Sequence, residues 1–169
     1  MNVMNRFQKR MSIEQEKVTD QMREKEKCTG CMLANKQRPV HVVYEDQLVC
    51  GILDHDPFHE GHTLLFPKAH VIEIEDVNQK TANAIMKGVT IVVKAIKALY
   101  NPAGITICQN GGEFNDLDHY HIHVIPRERE PSFADFYSEA LLNNEALKKK
   151  LPETRVALAA KIERLKGTV

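Results

Sequence analysis

The sequence predicts an α+β domain on three observations. Five short strand-like segments lie between residues 40 and 127, one helical segment of about 20 residues interrupts them after the third, and Asn, Asp, Gly and Pro clusters separate them. At 169 residues the chain is long enough for one domain with added terminal helices, and its 43% hydrophobic content is ordinary for a packed core.

Taken in order, residues 1–27 alternate charges densely, yet Met4, Phe7, Met11, Val18 and Met22 fall near helical spacing, as expected of a docking helix or a tail. The run "VHVVYEDQLVCGILD" from Val40 reads as two strands turning near Glu45 and Asp46, and "HTLLFPKAH" as a third. The helix is expected over 80–100, with Ala82, Ile85, Met86, Val89, Val92, Val93, Ile96 and Leu99 as its core stripe and Asn101, Pro102 and Gly104 as its stop. "GITICQN" and "HYHIHVIPR" supply the last two strands, joined by a polar loop from Gly111 to Asp118. Beyond Pro131 the chain reads as helical, with capping-box spacing at Ser132 and Asp135, and Pro152 is expected to separate a final helix. The division expected is 1–27 as N-terminal helix or tail, 28–127 as the domain, and 128–169 as a C-terminal helical extension.

Charge and apolar runs narrow the function. The 23 basic and 23 acidic residues cancel, so no overall field exists to hold a long nucleic acid, whereas a small charged ligand needs only a local site. No apolar run approaches the ~18 residues of a membrane span, and Arg6, Lys9 and Arg10 are not followed by an apolar leader segment, so a cytoplasmic protein is expected. Of the four cysteines, Cys28 and Cys31 form a C-x-x-C pair suited to metal or redox work, while Cys50 and Cys108 lie in apolar runs and are expected in the core.

The most informative segment is "HYHIHVI", residues 119–125. On a strand His119, His121 and His123 share one face with about 6.6 Å between neighbours, so only His121 has a partner on both sides. An imidazole so placed can attack phosphorus while its neighbours stabilise the developing charge. Metal ligation is the other reading of such a row, and His62 and His70 on one strand and its end, with the two thiolates of Cys28 and Cys31, make two separate clusters plausible.

These residues resemble the histidine triad (HIT) family of nucleotide hydrolases and transferases, in its zinc-bearing bacterial type. The triad runs on into "VIPR", and Cys28, Cys31, "VVYED" at 42–46, Leu53, Asp54, Pro57, Gly61, His62, Leu64, Pro67, Lys68 and His70 follow the family's order and spacing. The resemblance covers residues 28–127. It implies a five-stranded antiparallel sheet with one long helix packed on it, and His121 as nucleophile in a nucleotidyl-histidine intermediate. His123 and His62 would contact phosphate, His119 would complete the triad, and Asp54 would accept hydrogen bonds from ribose hydroxyls. Cys28, Cys31, His70 and His119 would hold a structural zinc. The sequence departs from the family where Phe114 and Asn115 replace the usual Gly-Gln before the triad, which makes Asn110 and Asn115 the substitute contacts to nucleotide.

Three functions follow as expectations. The first is hydrolysis or transfer at the α-phosphate of a nucleoside phosphoramidate or dinucleoside polyphosphate. The second is a nucleotide- or partner-binding module with little turnover, and the third is thiol redox chemistry at Cys28 and Cys31, disfavoured because that pair precedes the first strand. A second apolar stripe on the long helix, Ala84, Gly88, Ile91, Ala95 and Ala98, needs a cover. A terminal helix of the same chain is one candidate. The family resemblance implies the other, a homodimer.

Overall fold

In the computed structural model, which describes residues 28–130 and 142–167, a five-stranded antiparallel sheet carries a long helix on one face, with a short helix before it and a second long helix after it. Helix α1 (Thr29–Ala34) leads into β1 (Val42–Glu45), β2 (Val49–Leu53) and β3 (Thr63–Pro67). Then come α2 (Gln79–Tyr100), β4 (Gly104–Cys108), β5 (Ile122–Arg127) and α3 (Glu145–Lys166). In space the strands run β1-β2-β3-β5-β4, so the long helix is the crossover that lets β5 enter beside β3.

Local chemistry explains the boundaries. Asp46 makes the β1–β2 turn, its Oδ1 accepting the Leu48 and Val49 amides at 2.8 Å each. Asn78 caps α2 by accepting the Thr81 amide, and Asn101 ends it in a left-handed conformation at φ 45° that asparagine tolerates better than most residues.

Strand alternation divides the core in two. Val49, Leu53, Leu65, Ile122 and Val124 face α2 and α3, where they meet Ile85, Val89, Val92, Ile96, Leu158 and Ile162. Cys50, Ile52, Leu64 and Phe66 face the other way and pack with Ala34 of α1. Because Leu64 pairs with His123, the same parity places His123 on this second face, away from α2.

Several expectations need correction. Pro152 does not separate helices: α3 runs through it. An interior proline forfeits one helical hydrogen bond, at about 3 kcal/mol, and the complete burial of Leu158 and Ile162 later in the helix offsets that cost. Strand β5 starts at Ile122 and not at His119. Asp118 turns the chain at φ 48°, and the Tyr120 amide then donates to the Val71 carbonyl, a partner outside the ladder. On α2, Met86 and Leu99 are exposed, whereas Gly88, Ile91 and Ala95 of the second stripe are buried within the chain. A Cβ at Gly88 would meet Leu65 and Tyr44 of the sheet, so that residue is a close approach inside the monomer. Cys50 is fully buried, but Cys108 is only half-buried on the edge strand β4. The helices expected within 1–27 and from Ser132 lie outside the described residues. Among the described residues no helix is long and apolar enough to cross a membrane.

Candidate active site

Two clusters lie on the α1 side of the sheet, and His119 to His123 link them. In the first, α1 brings Cys28 and Cys31 onto the His119 ring. Gly30 allows this approach, because any Cβ there would overlap the Cβ of His119. Nδ1 of His119 lies 3.5 Å from the sulfur of each cysteine, and Nδ1 of His70 lies 3.3 Å from that of Cys31. The four donor atoms all fall within 4.8 Å of one another. Nε2 of His119 sits 2.9 Å from the Pro67 carbonyl, which can only accept, so the proton is on Nε2 and the Nδ1 lone pair faces the thiols. Burial pushes the His119 imidazole down to about 4, the state a metal ligand requires. Two thiols and two imidazoles around one point can hold a metal ion.

The second cluster opens on a cleft of about 500 Å³. His121 and His123 line it together with Asp54, and its apolar wall includes Leu33, Val40, Ile52, Leu64 and Leu117. Nδ1 of His121 donates to the His119 carbonyl at 2.8 Å, which leaves the Nε2 lone pair free. Phe66 stacks on the His121 ring at 5.5 Å between centroids and helps to hold its plane. Nε2 of His62 lies 3.0 Å from Nδ1 of His123. Nδ1 of His62 accepts the Phe58 amide at 3.4 Å, so Nε2 of a neutral His62 carries the proton and donates it to His123. Oδ2 of Asp54 stands 3.6 Å from Nδ1 of His62.

Burial dominates the titration of this row. His62 is held well below the ordinary imidazole range, and His123 is pushed down to about 4, with nearby imidazoles adding repulsion in both cases. The Asp54 carboxyl is raised by its own burial, against the amide of Asp56 that donates to it at 2.9 Å. At neutral pH His62 and His123 are therefore uncharged hydrogen-bonding groups.

The structure brings His62, His121, His123 and Asp54 together, and separately Cys28, Cys31, His70 and His119. The His119 ring belongs to the thiol cluster, and only its carbonyl serves the cleft. Asn110 and Asn115 do not line the cleft. Asn115 is buried, with Nδ2 donating to the Ile72 carbonyl and Oδ1 accepting the Leu117 amide, while Asn110 is exposed. Asp116 faces the site instead, with Oδ1 3.9 Å from Nε2 of His121. Sequence reasoning also missed Arg38 and His41 in the cleft wall, and the packing of Phe66 and Phe58 on the site imidazoles. The Phe66 position could have been found from parity, since it lies an even number of residues from Leu64 on one strand.

Comparison with known proteins agrees with this geometry. A HIT-domain family profile matches residues 35–130. The chain is 33% identical over 110 residues to an uncharacterized HIT-like protein of Borreliella burgdorferi, covering 63% of this chain and 79% of that one. Its structure is similar to that of a Zn-bound histidine triad family protein from Mycobacterium smegmatis, with TM-score 0.70, 26% identity, and 86% and 99% of the two chains covered. It is also similar to a hypothetical histidine triad nucleotide-binding protein from Sulfolobus tokodaii, with TM-score 0.69, 29% identity, and 82% and 94% covered. With His121 and His123 lining a cleft, and a domain match across more than half its length, the chain belongs to the histidine triad (HIT) family.

Proposed function

We propose that the protein is a nucleotidyl hydrolase or transferase that cleaves a nucleoside phosphoramidate or dinucleoside polyphosphate at the α-phosphate. The observation that carries this reading is the His121 tautomer: Nδ1 is tied to a carbonyl and Nε2 is open toward the cleft. In the reaction Nε2 bonds to the α-phosphorus as the bond to the leaving group breaks, and the leaving group takes a proton from water in the cleft, which the attacking water of the second step returns. The imidazole becomes cationic in that step, and the His119 carbonyl at Nδ1 stabilises it. Water then attacks the same phosphorus, the phosphorus–nitrogen bond breaks, and a nucleoside monophosphate leaves. His123, whose Nδ1 is taken up by the Nε2 proton of His62, donates to phosphate oxygens from its own Nε2, Asp54 accepts from ribose hydroxyls, and the apolar wall receives the base. We assign Asn115 to holding the loop before the triad, and Asn110 no contact to nucleotide.

The thiol cluster suits zinc. Tetrahedral bonds of about 2.3 Å to sulfur and 2.0–2.1 Å to nitrogen put those ligand atoms about 3.5 Å apart, close to the 3.3–3.5 Å separations found here. Four protein ligands leave no open position, so the ion supplies structure and not chemistry. We further propose a cytoplasmic homodimer joined through β4. The other sheet edge is covered, since Arg155 donates to the Val42 carbonyl and Lys166 to that of Glu45, whereas β4, an edge strand among the described residues, presents Ile107 half-exposed.

A screen of nucleotidyl substrates on the wild type and His121→Ala in parallel, reading released nucleoside monophosphate, tests the reading. Turnover by the wild type alone is the expected result. Nucleotide binding without turnover by either protein would favour a binding module, and Asp116 is the residue that would explain it, because its carboxylate opposes an anionic substrate beside Nε2.

A further inference from the structure

The loop from Asp54 to His62 carries one site residue at each end and has no regular secondary structure between them. The Asp54 amide donates to the His62 carbonyl at 3.0 Å and ties the two backbones at the base of the loop, while the bonds beyond that base are short-range: the Asp56 amide to Asp54, the Phe58 amide to the His62 ring, and the His62 amide to the His59 carbonyl. Such a loop does not by itself hold two side chains to the tolerance that phosphoryl chemistry needs. Its outside anchors come largely from α3 and the residues leading into it, which lie beyond the HIT-domain match.

Two anchors are distinct in place. Asp56, two residues from Asp54, accepts the Asn143 amide at 2.8 Å and has Lys148 at 3.5 Å on the same oxygen. Glu60, two residues before His62, accepts from Lys150 at 3.1 Å on one oxygen and from the buried Thr154 hydroxyl at 3.2 Å on the other. Between Glu60 and His62, Gly61 adopts φ 90° against the Tyr100 ring and Pro126, so the chain is wedged on its far side as well. The helix that supplies these partners is itself immobilised, with Leu158 and Ile162 fully buried in the main core. His59 makes one further outside contact, to Glu128 at 3.5 Å.

We propose that α3 is a positioning element of the active site, which sets His62, and with it the phosphate-contacting His123, through Glu60 and the ribose-contacting Asp54 through Asp56. The proposal rests on the nucleotidyl-transfer reading above. Partly exposed ion pairs add little to stability, so these contacts act chiefly on geometry. Because the two anchors serve different ends of the loop, they separate kinetically. Losing the Glu60 anchor affects the chemical step, and losing the Asp56 anchor affects nucleotide binding.

The test uses the full chain, adenosine 5′-phosphoramidate as substrate and AMP as binding probe. Glu60→Ala should lower kcat about tenfold with KM within about twofold, and Glu60→Gln, which can still accept from Thr154, should recover at least about half of wild-type kcat. Asp56→Ala should raise KM and the AMP dissociation constant about fivefold with kcat within about twofold. Lys149→Ala, an exposed charge on the same helical turn, should match the wild type. Melting temperatures are read alongside. Wild-type constants in both alanine variants, or a parallel loss of kcat and binding that follows melting temperature, would overturn the proposal. A wild type that binds AMP but releases none from the phosphoramidate or from a dinucleoside polyphosphate overturns the nucleotidyl-transfer reading, and the AMP affinity of Asp56→Ala then still decides the Asp54 arm. If the wild type turns over and the variants are unaltered, only the positioning role falls.

Discussion

The backbone carbonyl of His119 accepts the Nδ1 proton of His121 at 2.8 Å, while the ring of His119 lies against Cys28 and Cys31. One residue thus joins the two clusters. A metal ion held on its ring would fix the carbonyl that sets the tautomer of the proposed nucleophile, an outer-shell arrangement that would couple structure and reactivity.

Metal removal should therefore do more than loosen the fold. Protein purified without chelator is expected to carry about one zinc per chain, and stripping it should lower the melting temperature, because ligand binding to the native state adds to folding free energy. Nucleotidyl turnover at a temperature where the apo protein is still folded should fall as well. Elemental analysis finding no metal, together with free titration of both thiols at 28 and 31 in the native protein, would end this assignment.

His121→Ala should abolish turnover and leave nucleotide affinity within about tenfold, or roughly 1.4 kcal/mol. In the proposed reaction the imidazole acts in bond making, whereas binding would draw on Asp54 and the apolar wall that line the same cleft. Titration calorimetry with AMP and a discontinuous assay of released monophosphate read the two quantities separately. More than a small residual rate in a contaminant-free preparation would move the nucleophile to another residue.

The sheet, the long helix and both clusters were legible because each rests on local rules. Asn78 and Asn101 bound α2 within a residue of the pattern, and alternate imidazoles share a face by backbone parity. What escaped depended on tertiary context. Pro152 reads as a breaker until the burial of Leu158 and Ile162 holds its helix together, and the stripe through Gly88 reads as a surface until Leu65 and Tyr44 are seen to press on it. Asn115 and Asp116 are neighbouring polar residues, and only the turn of the loop decides which faces His121.

Acid should destabilise the fold in a defined window. His62 and His123 titrate below their unfolded value of about 6.5, His123 near 4. Between these values the unfolded chain binds protons that the native state refuses, so stability is fully present above pH 6.5 and is lost as pH falls toward 4. Asp54, raised by burial, works in the opposite sense and softens the loss at the acid end. Urea midpoints measured from pH 7.5 to 4.5 should fall steadily for the wild type and less steeply for His123→Asn. An equal slope in the two proteins would refute this account.

Assembly supplies the last prediction, and the buried position of Gly88 changes which residue tests it. Gly88→Arg would drive a long side chain into Leu65 and Tyr44 and should reduce soluble, folded protein whatever the oligomeric state. Ile107 instead lies half-exposed on the edge strand β4, so Ile107→Glu costs the monomer little and places like charges opposite or near each other if two β4 strands meet about a two-fold axis. Light scattering at micromolar concentration should then give two chains for the wild type and one for Ile107→Glu, with melting of the variant reporting an intact fold. A monomeric wild type would remove the homodimer, and a fully dimeric Ile107→Glu would move the contact away from β4.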